Sequence, residues 1–372
     1  MDNKQDLKLD EALQGFDFGG EVAGAVRYGS GHVNDTFAVY VQKPDGSPRR
    51  FILQKINTRV FKDPQALMEN IVGVTDYLKQ IKLKDPAFPK EKILYVLRTK
   101  QGEAFFRDSV GGAWRVYNFI EDTICLQSVE KPEQFYSAAK SFGLFLRELE
   151  GYPAETLHET ILKFHDTRSR FKNFKAALEA DTQARAKKVR DEIDFVLKRE
   201  ADCGYLMELL EAGKLPLRVT HNDTKLNNIL LNPQTGEGEC IIDLDTIMPG
   251  LALNDFGDSI RFGANAAAED ETDLNKVVLD LELFEAYTRG YLSVAGDVLT
   301  PAELECLPWG AKLMTLECGM RFLTDYLEGD VYFKIHRENH NLDRCRTQFK
   351  LVSEIEKHFG EMQRIVQKFQ KN

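Results

Sequence analysis

The chain has 372 residues, with 49 Lys and Arg against 59 Asp and Glu, for a formal net charge of −10. That length accommodates two domains, and the acidic balance argues against a broad nucleic-acid or anionic-membrane surface. Its six cysteines, Cys125, Cys203, Cys240, Cys306, Cys318 and Cys345, include no Cys-x-x-Cys pair and imply neither a zinc site nor a disulfide framework.

The segment Met1–Asp6 is polar and leads into no apolar core, and no apolar run is long enough to span a bilayer. A cytoplasmic protein without an export signal is therefore expected. Next comes Gly29-Ser30-Gly31-His32-Val33-Asn34, two glycines in a strand-to-strand turn where backbone N–H groups can approach an anion closely. The runs Thr36–Val41 and Arg50–Ile56 are rich in β-branched and aromatic residues and are joined by Lys43-Pro44-Asp45-Gly46-Ser47-Pro48, so they read as a hairpin. Asp63 followed by Pro64, with Leu67, Ile71, Val74 and Leu78 at helical spacing, predicts a helix to about Leu83. Strand-like runs follow at Ile93–Leu97 and Trp114–Ile120, the second ending in Glu121-Asp122. From Lys131 onward the period is helical: Phe135, Ala138, Phe142, Phe145, Leu146 and Leu149 form one stripe, and Ile193, Val196 and Leu197 another. The expected class is α+β, a small β-rich N-terminal lobe over residues 1–120 and a larger, mainly helical lobe over 121–372.

The most informative stretch is Val219-Thr220-His221-Asn222-Asp223-Thr224-Lys225-Leu226-Asn227-Asn228-Ile229-Leu230-Leu231, followed by Ile241-Ile242-Asp243-Leu244-Asp245. His-x-Asp with an Asn five positions after the Asp is the spacing of a kinase catalytic loop, which supplies a carboxylate for the attacking hydroxyl and an amide oxygen for Mg²⁺. Asp223 and Asn228 meet it. Pro233-Gln234-Thr235-Gly236 is a turn between two apolar runs, so a hairpin carries the chain to Asp243, the expected metal carboxylate. Turn preference alone also favours Asn, Asp and Thr, but it accounts for neither the spacing nor the apolar flanks. His221 is as suited to bracing backbone as to chemistry.

With that loop in place, the two-lobed protein-kinase-like fold is expected, and the earlier elements acquire roles. Gly29, Ser30 and Gly31 become a phosphate turn, Phe119 and Ile120 the segment whose backbone meets the adenine edge, and Lys55 a nucleotide ligand able to pair with Glu69. Gln54 and Lys55 alternate across one strand, however, and the sequence does not choose which faces the nucleotide. A solvated Lys and a solvated helix Glu fit equally well. Later, Glu317, Arg321, Asp325 and Glu328 recur at steps of four, four and three, stacking on one helix face. A solvated, internally paired face is one reading. Met320, Phe322, Leu323, Tyr326 and Leu327 box the stripe with apolar groups, which suits the lining of a polar pocket.

These segments, together with Gly111–Tyr117, Phe164-His165-Asp166-Thr167, Asp255–Gly263 and Glu317–Phe333, resemble the N-acetylhexosamine 1-kinases of the aminoglycoside phosphotransferase and choline kinase superfamily over nearly the whole length. The resemblance implies transfer of the γ-phosphoryl group of ATP, with Mg²⁺, to the anomeric hydroxyl of GlcNAc or GalNAc. Asp223 would be the base, Asn228, Asp243 and Asp245 the metal ligands, and Asn227, Arg321 and Tyr332, with Asp223, the sugar contacts. Asp245 departs from the Asp-Phe-Gly pattern of protein kinases; on a strand it would face the same side as Asp243. The expected partners are a small sugar and ATP, with no nucleic acid or membrane, and a monomer is compatible with the sequence. Three alternatives share parts of this pattern: a kinase of another sugar, homoserine or a choline-like amino alcohol; a non-catalytic nucleotide-binding regulator on a kinase fold; and an interaction module built from the helical half.

Overall fold

A computed structural model describes residues 8–29 and 33–370. Ser30 and Gly31 of the glycine turn lie outside the described residues. The chain divides into two compact units, and the division is not a single cut. The first takes in the described residues up to Thr123 together with Gly151–Leu162 and Ile242–Met248, so Asp243 and Asp245 belong to it. The second comprises Ile124–Glu150, Lys163–Ile241 and the described residues from Pro249 on. The first is β-rich and the second larger and mainly helical.

In the first unit, α1 (Leu9–Gly15) precedes β1 (Glu21–Arg27), β2 (Asp35–Gln42) and β3 (Pro48–Lys55), then α2 (Pro64–Lys82) and the strands β4 (Val96–Leu97), β5 (Phe106–Arg107) and β6 (Ala113–Asn118). Among the described residues these strands form one antiparallel sheet in the order β1-β2-β3-β6-β4, with β5 also on β6. The expected hairpin is β2–β3, in register from Asp35 opposite Lys55 to Gln42 opposite Pro48. The run from Ile93 pairs only over Val96–Leu97, and that from Trp114 stops at Asn118. Phe37, Val39, Phe51, Leu53, Trp114 and Val116 share a core with Leu9, Ala12, Phe16 and Phe18. That core fixes the parity of β3: Phe51 and Leu53 point into it, and Lys55 stands on their side. The α2 helix begins as its sequence predicts, the Asp63 carboxylate accepting the N–H groups of Gln65 and Ala66 with Pro64 in the first turn.

The second unit holds α3 (Pro132–Glu148), α4 (Thr167–Ala180), α5 (Arg190–Leu197), α6 (Glu200–Glu211), the short strands β7 (Arg218–Thr220), β8 (Ile229–Leu231) and β9 (Gly238–Ile241), then α7 (Ala252–Gly263), α8 (Leu281–Ala295), α9 (Pro301–Glu328) and α10 (His340–Phe369). The strands β8 and β9 form the expected hairpin, Ile229 opposite Ile241. Two helices that shape the site cross at glycine. A Cβ on Gly257 of α7 would lie 2.2 Å from the Gly310 carbonyl oxygen of α9, and one on Gly310 would lie 2.2 Å from the Leu253 carbonyl oxygen. Only a residue without a side chain permits that approach. No helix among the described residues is long and apolar enough to cross a membrane.

Candidate active site

In the second unit, β7 delivers the chain into His221–Asn228. The guanidinium of Arg218 anchors this strand on the buried Glu303 of α9, with Nε 2.6 Å from Oε1 and a terminal nitrogen 2.8 Å from Oε2. The loop that follows is held mainly through its backbone. The Asp255 carboxylate accepts the N–H of His221 at 2.8 Å and of Asn222 at 2.7 Å. The Thr224 hydroxyl donates to the Asp255 carbonyl at 2.5 Å, and the Ser259 hydroxyl to the Thr224 carbonyl at 2.8 Å. Asn222 takes φ 63°, a left-handed conformation that Asn tolerates better than most residues. His221 is fully buried between the ring edges of Phe142 and Phe145, and its Nδ1 lies 3.3 Å from the Asp223 N–H. It braces the backbone.

The Asp223 and Asn228 side chains are thereby presented by a fixed frame. Asp223 Oδ1 lies 2.7 Å from the Lys225 ammonium, and Asn228 Nδ2 donates to the Asp223 carbonyl at 2.8 Å and to its Oδ2 at 3.2 Å. Burial pushes the Asp223 carboxyl up, but the Lys225 ammonium, with help from other nearby positive charge including Arg261, holds the group below its ordinary value, hence ionised at neutral pH. Because its amide nitrogen is committed to Asp223, Asn228 keeps its oxygen for another ligand. Beside it, Asn227 Oδ1 is buried without a hydrogen-bond partner.

The helix α9 contains all four residues of the charged stripe, but they do different things. Glu317 is buried against His165, Thr167 and Arg170. Arg321, half-buried, has its guanidinium 5.5 Å from the Phe164 ring, 5.9 Å from Tyr332 and 5.5 Å from Phe333. Asp325 is a structural anchor: after Gly329 ends the helix, its carboxylate accepts the N–H groups of Val331, Tyr332 and Phe333 at 2.9, 2.7 and 3.0 Å. That grip presents Tyr332, which is 62% exposed, beside Arg321. Glu328 is exposed.

In the first unit, Asp243 is exposed and takes φ 61°, two residues beyond the end of β9. The expectation that Asp243 and Asp245 share the face of a strand is corrected here: the backbone leaves extended geometry at Asp243, and Asp245 lies in a single helical turn, Leu244–Thr246. Asp245 is buried, with one oxygen in an ion pair with the buried Arg115 and the other accepting from Asn34 Nδ2 at 2.6 Å. Burial opposes the Arg115 charge, but Asp245 outweighs it and raises the guanidinium's pKa. Arg115 also donates to Gln54 Oε1 at 3.0 and 2.8 Å. Asp245 is thus tied to Arg115 and Asn34, whereas Asp243 is exposed.

Gln54 therefore faces the Arg115–Asp245 group, while Lys55, on the opposite side of β3, sits 3.9 Å from Asp108 and over the Trp114 ring. Lys55 is not on the Asp245 face, because the core claims its row of the strand. The Lys55–Glu69 pair does not form; Glu69 is bound instead by His158 and Gln65 at 2.6 and 2.9 Å. Gly29 lies just past β1 with φ 76°. At the segment after β6, the Phe119 N–H donates to the Arg50 carbonyl at 3.3 Å, its ring carries the Arg50 guanidinium at 3.8 Å, and the Ile120 carbonyl accepts from the Thr123 hydroxyl at 3.1 Å.

Three residues of these networks went unassigned in the sequence: Asp255, His165 and Arg115. Asp255 and Arg115 are charged residues beside apolar neighbours, and the carboxylate in the buried first turns of α7 was the strongest available signal, whereas His165 lies in the polar stretch Lys163–Arg170 and gives none.

Compared with known proteins, the chain matches the phosphotransferase enzyme family, abbreviated APH, over residues 24–296. Among solved structures it is similar to an aminoglycoside phosphotransferase from Alicyclobacillus acidocaldarius (12% identity, TM-score 0.60, 96% of each chain covered). It is likewise similar to a microcompartment-associated aminopropanol kinase (16%, TM-score 0.59, covering 95% of this chain and 97% of that one) and to an amicoumacin kinase solved with AMP-PNP and Ca²⁺ (14%, TM-score 0.58, 94% and 93%). At these identities the likeness establishes the kinase-like fold.

Proposed function

The chain belongs to the phosphotransferase enzyme family, and on that premise we propose that it transfers the γ-phosphoryl group of ATP to the anomeric hydroxyl of an N-acetylhexosamine, GlcNAc or GalNAc, giving the sugar 1-phosphate. The observation that carries the acceptor class is the Arg321 guanidinium set among Phe164, Tyr332 and Phe333, with the Tyr332 ring exposed. An aromatic face suits the C–H face of a pyranose, and a guanidinium suits the hydroxyl or amide oxygens at its edge. The same guanidinium disfavours a choline-like or amino-alcohol substrate, whose own cation would meet a like charge where aromatic and acidic groups are needed.

In this reading Asp223, ionised and restrained by Lys225 and Asn228, accepts the acceptor hydroxyl's proton as the new P–O bond forms and the bond from the γ-phosphorus to the bridging oxygen breaks. Asn227, with its unpartnered amide oxygen, accepts a hydrogen bond from the sugar. Asn228, through its amide oxygen, and Asp243, through its carboxylate, are the proposed ligands of Mg²⁺. Hard oxygen donors with few carboxylates suit a cation that fills its remaining positions with nucleotide phosphates and water. Bound there, it would neutralise charge on the transferring group. The amicoumacin kinase solved with AMP-PNP and Ca²⁺ is consistent with ATP and a divalent cation. A purely regulatory role would leave Asp223, Asn228 and Asp243 without a task.

The deciding experiment is incubation with Mg-ATP and a panel of free sugars and amino alcohols, with the phosphorylated position read by ³¹P and ¹³C NMR. A 1-phosphate of GlcNAc or GalNAc is expected. A 6-phosphate, or turnover confined to other alcohols, would overturn the acceptor assignment.

A further inference from the structure

His165 lies in the second unit between two hydrogen-bond acceptors. Its Nδ1 is 3.0 Å from Glu317 Oε1 and its Nε2 is 3.1 Å from the Asn222 carbonyl oxygen. A neutral imidazole has one N–H and would leave a lone pair facing one of these acceptors, whereas an imidazolium satisfies both. Glu317 cannot supply the missing proton cheaply, because its other oxygen already accepts the Thr167 hydroxyl at 3.2 Å and Arg170 lies 3.9 Å away. We propose that His165 is a positioning residue held as an imidazolium, which clamps the Asn222–Asp223 peptide and so aims the Asp223 carboxylate at the acceptor hydroxyl. The proposal rests on Asp223 being the base.

The peptide in question is held at both ends. Its carbonyl takes the His165 Nε2–H, and its N–H points to His221 Nδ1 at 3.3 Å. The peptides before it are fixed by Asp255, through the N–H groups of Asn222 and His221. A left-handed Asn persists when its surroundings over-determine it, and here carboxylate and imidazolium grip it from opposite sides. The charged groups facing His165 are Glu317 on α9 and Asp255 and Asp258 on α7, with Arg170 on α4 against Glu317. Burial alone would lower the imidazole, but Glu317 outweighs it, with help from the Asn222 carbonyl and Asp258, and the group is raised above its ordinary 6.5. Glu317 in turn is held below its ordinary value: burial would raise it, and His165 with Arg170 and Arg321 more than offsets that.

The clamp also touches the acceptor side. Glu317 precedes Arg321 by one turn of α9, and the residue before His165 is Phe164, whose ring flanks Arg321 and whose carbonyl accepts from Arg170 at 3.1 and 2.6 Å. Substrate contact and loop geometry thus share the same two chain segments.

The test uses the full chain labelled with ¹⁵N-histidine. In a pH titration, the His165 ring should keep two protonated nitrogens to a higher pH than an ordinary imidazole, with the signal assigned by its absence in His165→Gln or its shift in Glu317→Gln. In steady-state kinetics with any acceptor that turns over, His165→Gln should lower kcat by about tenfold to a hundredfold, the scale of losing a hydrogen bond to a charged group, and leave the ATP KM within about twofold. His165→Gln with Glu317→Gln restores a donor opposite each acceptor and should recover part of the loss. A ring that loses its second proton at or below the pH of an ordinary imidazole overturns the proposal, even if the variants fail to fold, and so does a wild-type kcat in His165→Gln. If Asp223→Asn retains turnover, it is the assignment of the base that fails, and the ring signal remains a separate reading.

Discussion

The loop His221–Asn228 in the second unit and the turn Ile242–Thr246 in the first solve one problem in two ways. Each holds a non-glycine residue in the left-handed region, Asn222 at φ 63° and Asp243 at φ 61°. The loop is pinned largely through backbone groups, to Asp255, Ser259 and His165, so Asp223 and Asn228 remain available for chemistry. The turn is pinned by a side chain of its own: Asp245 is held by Arg115 and Asn34, while Asp243 is exposed. Acidic residues two apart in sequence are therefore not equivalent, and which one can serve depends on how the turn is held.

The comparison breaks most visibly at Arg115. Arg115→Leu leaves a buried carboxylate unpaired and should cost about 3–5 kcal/mol, read as a lower urea midpoint; a loss under about 1 kcal/mol would mean Asp245 is not anchored there. On the loop, Asp223→Asn should leave ATP binding intact by calorimetry and cut turnover by on the order of 10² or more, while near-normal activity would remove Asp223 as the base. The two acidic residues of the turn should then separate. Asp243→Ala is expected to raise the Mg²⁺ needed for half-maximal rate by at least about tenfold, the scale of weakened metal sites, whereas Asp245→Asn should lower stability with little change in Mg²⁺ requirement. A shared Mg²⁺ phenotype would restore Asp245 as a ligand.

Weaker effects probe the flanks. Arg321→Ala should reduce kcat/KM for the sugar by roughly ten- to a hundredfold while the ATP KM holds, and unaltered sugar kinetics would return Arg321 to a packing role. Glu69→Gln should change stability by no more than about 0.5 kcal/mol and leave turnover as it was, because its partners are the exposed His158 and Gln65. A large loss of activity would revive the Lys55–Glu69 pair.

What the sequence determined by itself was local. The spacing from His221 to Asn228, the turn at Pro233–Gly236 and the Asp63–Pro64 helix start are legible because the groups that act together lie within a few residues, where period and turn chemistry leave a pattern. The choice between Gln54 and Lys55 was open for the opposite reason: strand alternation defines two faces but not which is buried, and only the packing of Phe51 and Leu53 against α1 and Trp114 decided it. Asp255, His165 and Arg115 were likewise hidden. Each acts on a residue far along the chain, His165 on Asn222 at a separation of 57 and Asp255 on His221 at 34. A buried polar side chain must find partners wherever the fold supplies them, and that requirement imposes no spacing on the sequence. Tertiary structure alone decided which charges became anchors and which were left to do chemistry.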